Sequence, residues 1–262
     1  VDRGQLAILA GCVGLVFGSF ANVLIARIPV GMSWVRGSSR CPRCGHDLAW
    51  YDNVPVLSWL WLRRRCRYCR GPISARYPLV EILTALVFAV VVAEHSVRFI
   101  SVGLGHLAVV SVALVFIDID VGRLPNALVM PSYPVVAALL AADAALEGDW
   151  WNLARAGIGL LALGGFYGLL WFAYPAGLGF GDVRTAGLLG LTAGYLGWAS
   201  LAVGAIVGPL IGGVIVIVGL ASGRLHRKSR IPYGPALIGG AWVGFLAGEA
   251  IASGYLSLLG SG

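Results

Sequence analysis

Charge is what this chain of 262 residues has least of: Asp, Glu, Lys and Arg make up only 12% of it, and 58% is hydrophobic. A soluble domain carries about 25% charged residues, so the shortage excludes an ordinary water-soluble fold. The period-two alternation of a transmembrane barrel is also absent, which leaves helical spans. No Gly-rich nucleotide motif of the soluble type occurs, and no internal repeat or low-complexity tract stands out. The first apolar run, Leu6 to Ile25, is followed by Arg27-Ile28-Pro29 and not by a small-residue cleavage site, so it reads as a retained span and not as a signal peptide. Acidic residues number 12 against 19 basic ones, a net charge of +7. In a membrane protein that excess first suggests cytoplasmic loops, and nucleic acid is not required to explain it.

What is present is a set of long apolar runs. A helical span needs about 20 such residues. Eight candidates follow: roughly 5–26, 78–95, 99–117, 126–146, 152–174, 183–198, 200–221 and 233–258. The division between the sixth and seventh is the finest, with Gly194, Gly197 and Ser200 offering a turn. Many glycines inside the spans suit close helix packing. The expected fold is therefore all-α and polytopic, with about eight transmembrane helices and a small loop domain between the first two.

Charge orients this arrangement. With the loop 27–77 in the cytoplasm and strict alternation after it, sixteen of the 19 Lys and Arg fall on the cytoplasmic side, among them Arg224, Arg227, Lys228 and Arg230. That satisfies the positive-inside rule. Two carboxylates then meet at that same face. Asp118 ends the third span, in Phe116-Ile117-Asp118-Ile119-Asp120, and Asp182 opens the sixth, in Gly179-Phe180-Gly181-Asp182. An ionisable residue at the edge of an apolar run is expensive to hold near lipid and is a functional candidate for that reason. Two carboxylates in one site cannot easily both ionise, which is the arrangement acid proteases use. Gly179 and Gly181 remove side chains beside Asp182, so an extended substrate strand could lie against it. Asp182 could equally cap its helix, and Asp120 could be a solvated or capping carboxylate.

Four of the five cysteines form Cys41-Pro42-Arg43-Cys44-Gly45 and Cys66-Arg67-Tyr68-Cys69-Arg70-Gly71. Two such knuckles, each with a glycine for the turn, suit a closed tetrahedral zinc site. Two disulfides would be the alternative, and a cytoplasmic loop disfavours them. His46 could replace a thiolate or lie in solvent. Cys12 reads as a packed small hydrophobe. The five arginines between 63 and 70 suit solvated charge near anionic lipid or contact with an acidic partner. The aromatic stretch Leu48 to Trp61 is too short to span and is expected to cover the metal site and dip into the membrane interface.

These motifs, in this order, resemble the bacterial type IV prepilin peptidases, the bifunctional leader peptidases and N-methyltransferases of pilus and type II secretion systems. Gly18-Ser19-Phe20-Ala21-Asn22-Val23-Leu24-Ile25-Ala26-Arg27-Ile28-Pro29 looks like the family's opening motif, and Trp50 to Trp59 lies between the cysteine pairs as expected. Ile73 to Glu81 and Ile231-Pro232-Tyr233-Gly234-Pro235 look like later motifs. The family's first catalytic aspartate stands seven residues before a proline; that selects Asp118, with Pro125 as the proline and Asp120 as an accessory. The second ends the GxGD motif, which is Asp182. The usual Leu-Leu-Pro-Asp reads Arg123-Leu124-Pro125-Asn126 here, which keeps a polar group and loses its charge.

The resemblance implies residues 1–28 as a first span, 29–77 as a four-cysteine zinc loop associated with methyl transfer, and 78–262 as a membrane aspartyl peptidase. It implies structural Zn2+ on Cys41, Cys44, Cys66 and Cys69. It also implies S-adenosylmethionine for methyl transfer, in the 18–81 region. The substrate would be a type IV prepilin or pseudopilin whose basic leader is cut after a glycine at the cytoplasmic face of the bacterial inner membrane. Lipid is the other expected partner, and nucleic acid is not. For Glu81 the resemblance suggests importance, and an ion pair with Arg76 or Arg27 is the plainer account. Competing readings are another GxGD intramembrane protease without methyltransferase activity, an ion-coupled transporter, and a non-catalytic scaffold. The cysteine module argues against the first, and carboxylates at span ends instead of midplane argue against the second.

Overall fold

The computed structural model describes residues 2–175, 177–223 and 232–260. Arg224, Arg227, Lys228, Arg230 and Ile231, used above for orientation and motif, lie outside the described residues. Nine α-helices follow in order among the described residues. They are α1 (Arg3–Arg27), α2 (Leu57–Trp61), α3 (Arg76–His95), α4 (Phe99–Val121), α5 (Asn126–Glu147), α6 (Trp150–Ala173), α7 (Phe180–Leu196), α8 (Trp198–Ala221) and α9 (Gly234–Leu258). No strand occurs among the described residues, only isolated bridges at Arg40–Asp47 and Arg65–Pro72.

Seven of these helices are long and apolar enough to cross a membrane. The eighth expected span, α7, has 17 residues. At 1.5 Å per residue it is about 25 Å long, short of a hydrocarbon core of about 30 Å. It needs no lipid-facing surface, because every residue from Thr185 to Tyr195 is buried against neighbouring helices. The α7–α8 break falls on Gly197, where a Cβ would lie 2.8 Å from Glu249 Oε1. Gly194 and Ser200 are inside helices on either side of it.

The chain forms two compact units, 1–113 and 114–262, the boundary falling within α4. In the first unit α1 packs along α3. A Cβ on Gly18 would lie 2.6 Å from Glu81 Cα and one on Gly14 2.7 Å from Ala85 Cα, so the two backbones approach at small residues. In the second unit α6 meets α7 through Gly159 and Gly190, and α8 meets α9 through Gly208 and Gly240.

Three connections of the second unit gather at one end: α4 to α5, α6 to α7, and the entry to α9. Gly122, at φ +64°, stops α4, and its N–H donates to Asp118 O at 2.8 Å. Pro125 then caps α5 with the φ that its ring enforces. This tight reversal sets the seven-residue spacing from Asp118 to Pro125 and carries the buried Leu124 into the unit.

Candidate active site and metal centre

Asp118 and Asp182 are brought together at that end, 4% and 9% exposed. Asp118, in the last turn of α4, accepts the Gly234 N–H at Oδ2, 2.8 Å away. Asp182 is the third residue of α7 and not its N-cap. The cap is Gly179, and Asp182 Oδ2 reaches back to accept the Gly179 N–H at 3.0 Å. The two carboxylates lie within electrostatic reach of each other. One oxygen of each is fixed by a glycine N–H, which sets the side chain's rotamer, and no described residue donates to the second oxygen of Asp118. Two near-buried carboxylates so placed can share one proton, with the ionised member as base and the protonated member as donor.

The glycines around the pair have specific work. A Cβ on Gly181 would lie 3.0 Å from Leu124 O, and one on Gly234 would lie 2.7 Å from Asp118 Oδ2 and 2.9 Å from Leu124 Cδ2. Leu124 therefore fills the space beside Gly181 that the sequence suggested for a substrate strand. Asp120 is exposed in the same last turn of α4.

Two residues near the pair were not singled out from the sequence. The hydroxyls of Tyr167 (α6) and Tyr233 lie 2.7 Å apart, and both rings are within electrostatic reach of Asp182. Tyr233 precedes the glycine that donates to Asp118. Its place in Ile231-Pro232-Tyr233-Gly234-Pro235 was the available signal; Tyr167, inside an apolar helix, had none.

The first unit holds the cysteine module. The two knuckles superpose in pattern at an offset of 25 residues, Cys41 matching Cys66. Cys41 N–H donates to His46 O and Gly45 N–H to Cys41 O; equally, Cys66 N–H donates to Gly71 O and Arg70 N–H to Cys66 O. The left-handed residue is Gly45 (φ +70°) in the first knuckle but Arg70 (φ +57°) in the second. Gly71 serves close approach instead: a Cβ there would meet Arg43 Cδ at 2.6 Å and Cys69 Sγ at 3.4 Å.

All four sulfurs lie within 4.8 Å of one another, and Cys41 Sγ and Cys69 Sγ are 3.9 Å apart. Zinc with four thiolates at about 2.3 Å sets tetrahedral S···S spacings of about 3.8 Å. A disulfide requires about 2.05 Å, and none of the four is bonded. Backbone N–H groups of Cys44 and Arg43 directed at Cys41 lower its thiol to about 6, while burial and the neighbouring Cys41 and Cys69 sulfurs push Cys44 up to about 11, so without metal the first thiolate forms at Cys41. The donor set thus fits a closed Zn2+ site with no position for water. His46 is not a member; its ring packs against Tyr68 with centroids 3.5 Å apart.

Glu81 is 7% exposed at the start of α3. Its carboxylate accepts the Val56 N–H at 2.8 Å and lies by the Ser19 hydroxyl of α1. Arg27 does not pair with it: that guanidinium donates to the carbonyls of Ser33, Arg36, Gly37 and Ser38. Val56 sits at φ +60°, costly for a β-branched residue. Glu81 thus ties the aromatic stretch to α1 and α3 by holding a strained backbone in place.

The profile of the Bacterial Peptidase A24 N-terminal domain matches residues 12–95, which include all of this module. Over 279 residues the chain is 36% identical to the prepilin leader peptidase/N-methyltransferase of Aeromonas salmonicida (strain A449), covering 94% of this chain and 92% of that one. Identity to the protein of the same name from Myxococcus xanthus (strain DK1622) is 40% over 225 residues, 85% of this chain and 66% of that one. With the one from Neisseria gonorrhoeae it is 32% over 275 residues, 93% and 91% of the two. No solved structure matches.

Proposed function

Because the chain belongs to the prepilin leader peptidase/N-methyltransferase family, we propose that it removes the leader of a type IV prepilin or pseudopilin with Asp118 and Asp182, then N-methylates the new amino terminus. The observation that carries the reading is the pair itself: two near-buried carboxylates at one end of the second unit, each fixed through Oδ2 by a glycine N–H.

The ionised aspartate takes a proton from water, whose oxygen attacks the carbonyl carbon of the glycine before the cut. The protonated aspartate gives its proton to the carbonyl oxygen, and a tetrahedral diol forms. Collapse breaks the C–N bond as the first aspartate returns its proton to the leaving amine, and the diol proton goes back to its partner. Glycine N–H bonds that lock each carboxylate reduce the reorganisation required in these steps.

Residues 78–262 form the peptidase in this reading and 29–77 the zinc loop. The active end faces the cytoplasm of the inner membrane, as the bias of sixteen basic residues in the cytoplasmic segments supports. The substrate's apolar helix remains in the bilayer while its leader reaches the pair from that side. Zn2+ on Cys41, Cys44, Cys66 and Cys69 is structural.

S-adenosylmethionine is the expected methyl donor. The open cavity beside the second knuckle is lined by Arg63, Arg64, Arg65, Arg67 and Arg70 and does not suit its sulfonium cation, so no methyl-transfer step is assigned to residues. The experiment is incubation of the detergent-solubilised chain with synthetic prepilin. Mass spectrometry should find the mature fragment with the unsubstituted protein and none with Asp182→Asn; cleavage by Asp182→Asn at the unsubstituted rate would refute the pair.

A further inference from the structure

The two knuckles share one backbone pattern, so their differences are informative. In the first, Arg40 is neutralised by Asp47, its bridge partner, at 2.6 Å. In the second, Arg65 bridges to Pro72, which has no charge to offer. In the first, the left-handed position is Gly45; in the second, an arginine occupies it. Arg63 (φ +50°) and Arg64 (φ +62°) are left-handed as well. Glycine adopts this conformation freely and other residues do not. Strained residues persist where surrounding structure holds them for use.

All five arginines line one open cavity with Trp61. Arg67 is paired with Asp52 at 2.8 Å. Among the described residues the other four guanidiniums have no ion pair. The cavity extends to Ile73 and Ala75, and Ala75 is the N-cap of α3, a candidate span. It therefore opens where α3 begins to enter a bilayer. Trp61 is 84% exposed and Trp50 80%, and Leu57 and Leu60 are exposed near them. Indole rings favour the headgroup level of a membrane.

We propose that this cavity binds the phosphate of an anionic phospholipid headgroup, with Arg65 and Arg70 as its principal ligands. A guanidinium meets phosphate oxygens with two parallel hydrogen bonds, a geometry lysine cannot supply. Trp61 settles at the interface beside the headgroup. The cavity shares no residue with the aspartate pair, and the proposal does not depend on the peptidase reading.

The test uses the full chain in neutral detergent and measures equilibrium binding of short-chain phosphatidylglycerol, short-chain phosphatidylcholine, glycerol 1-phosphate and inorganic phosphate. Phosphatidylglycerol should bind more tightly than the other three. Each arginine at an anionic membrane surface is worth about fivefold in affinity, so Arg65→Gln/Arg70→Gln should weaken phosphatidylglycerol roughly thirtyfold. The control Arg3→Gln/Arg36→Gln removes the same charge elsewhere and should bind as the unsubstituted chain does. Arg70→Gly relieves the left-handed strain; it should keep the loop as resistant to proteolysis as before, or more so, and still lose about fivefold. Equal binding of the two lipids overturns the proposal, as does unchanged affinity in Arg65→Gln/Arg70→Gln. An equal loss in the control would reduce the effect to diffuse charge and overturn the site. Glycerol 1-phosphate or inorganic phosphate binding as tightly as the lipid would assign the site to a soluble phosphate and overturn the lipid.

Discussion

A single methyl group on Gly234 should disable the peptidase without disturbing the helices. In Gly234→Ala the new Cβ would stand 2.7 Å from Asp118 Oδ2 and 2.9 Å from Leu124 Cδ2, where ordinary contact begins near 3.4 Å. One of the three groups must move by roughly 0.7 Å. Leu124 has little room, because its side chain is buried. The carboxylate is the movable group, and moving it weakens the Gly234 N–H bond. A hydrogen bond to a charged group is worth about 1.5–3 kcal/mol, and overpacking costs about 1–3 kcal/mol. Displacement of a reacting group by about 1 Å lowers rates by about a hundredfold. The expected result is a fall in kcat of about 30- to 100-fold on synthetic prepilin, followed by mass spectrometry, with normal membrane insertion. Gly213→Ala serves as the control, since nothing lies within 4 Å of its added Cβ. Equal cleavage by Gly234→Ala and Gly213→Ala would refute both the placement of Asp118 against α9 and its part in the reaction.

Asp118→Asn and Asp182→Asn should each abolish cleavage while the protein still inserts, and Asp120→Asn should be milder; the cleavage assay in membranes checks all three. One zinc per chain should be found by elemental analysis of freshly purified protein. Zinc binds thiolates and not thiols, so protons compete with it for Cys41, Cys44, Cys66 and Cys69. Zinc retention measured across pH should therefore fall as the medium is acidified, and retention unchanged at pH 4 would contradict this. Glu81→Ala should release Val56 and raise protease cutting between Trp50 and Trp61, at a loss of about 1–3 kcal/mol; a loop as protected as before would remove Glu81's anchoring role. Asp182→Asn protein given already cleaved pilin and S-adenosylmethionine should yield a product heavier by one methyl group, and no methylation by the unsubstituted protein at saturating cofactor would make the chain a peptidase alone.

The spans were legible because one quantity, the length of an apolar run, dictates both where a helix starts and where it must stop. The runs at 126–146 and 233–258 became Asn126–Glu147 and Gly234–Leu258. Hydropathy could not say that α7 is internal. A helix buried by protein and one facing lipid have equally apolar surfaces, and only its 17 residues hint at the difference. The cysteine ligands were legible because metal geometry restricts their spacing so tightly. The turn residue of the second knuckle was not: glycine is the natural occupant of a left-handed position, and Gly71 stood beside Arg70 to be mistaken for it.

What stayed hidden was contact across the chain. The bond that fixes Asp118 comes from Gly234, 116 residues away. A glycine N–H has no sequence signature, and the requirement for glycine there comes from a carboxylate and a leucine that only folding brings close. Glu81 shows the same logic with a polar group. Sequence pairs a buried acid with an arginine by charge, yet Arg27 is occupied by four carbonyls and the acid receives a backbone N–H. A buried carboxylate is satisfied by donors of any kind, and backbone donors are supplied wherever a chain bends too sharply to bond to itself. Val56, at φ +60°, is such a bend. The same reasoning applies to Gly179 and Gly234, one the N-cap and the other the first residue of a helix, each with an N–H that its own helix leaves unbonded. The two candidate catalytic aspartates are thus held by the unpaired donors of helix starts, and sequence can locate the helix starts without revealing which carboxylate each one holds.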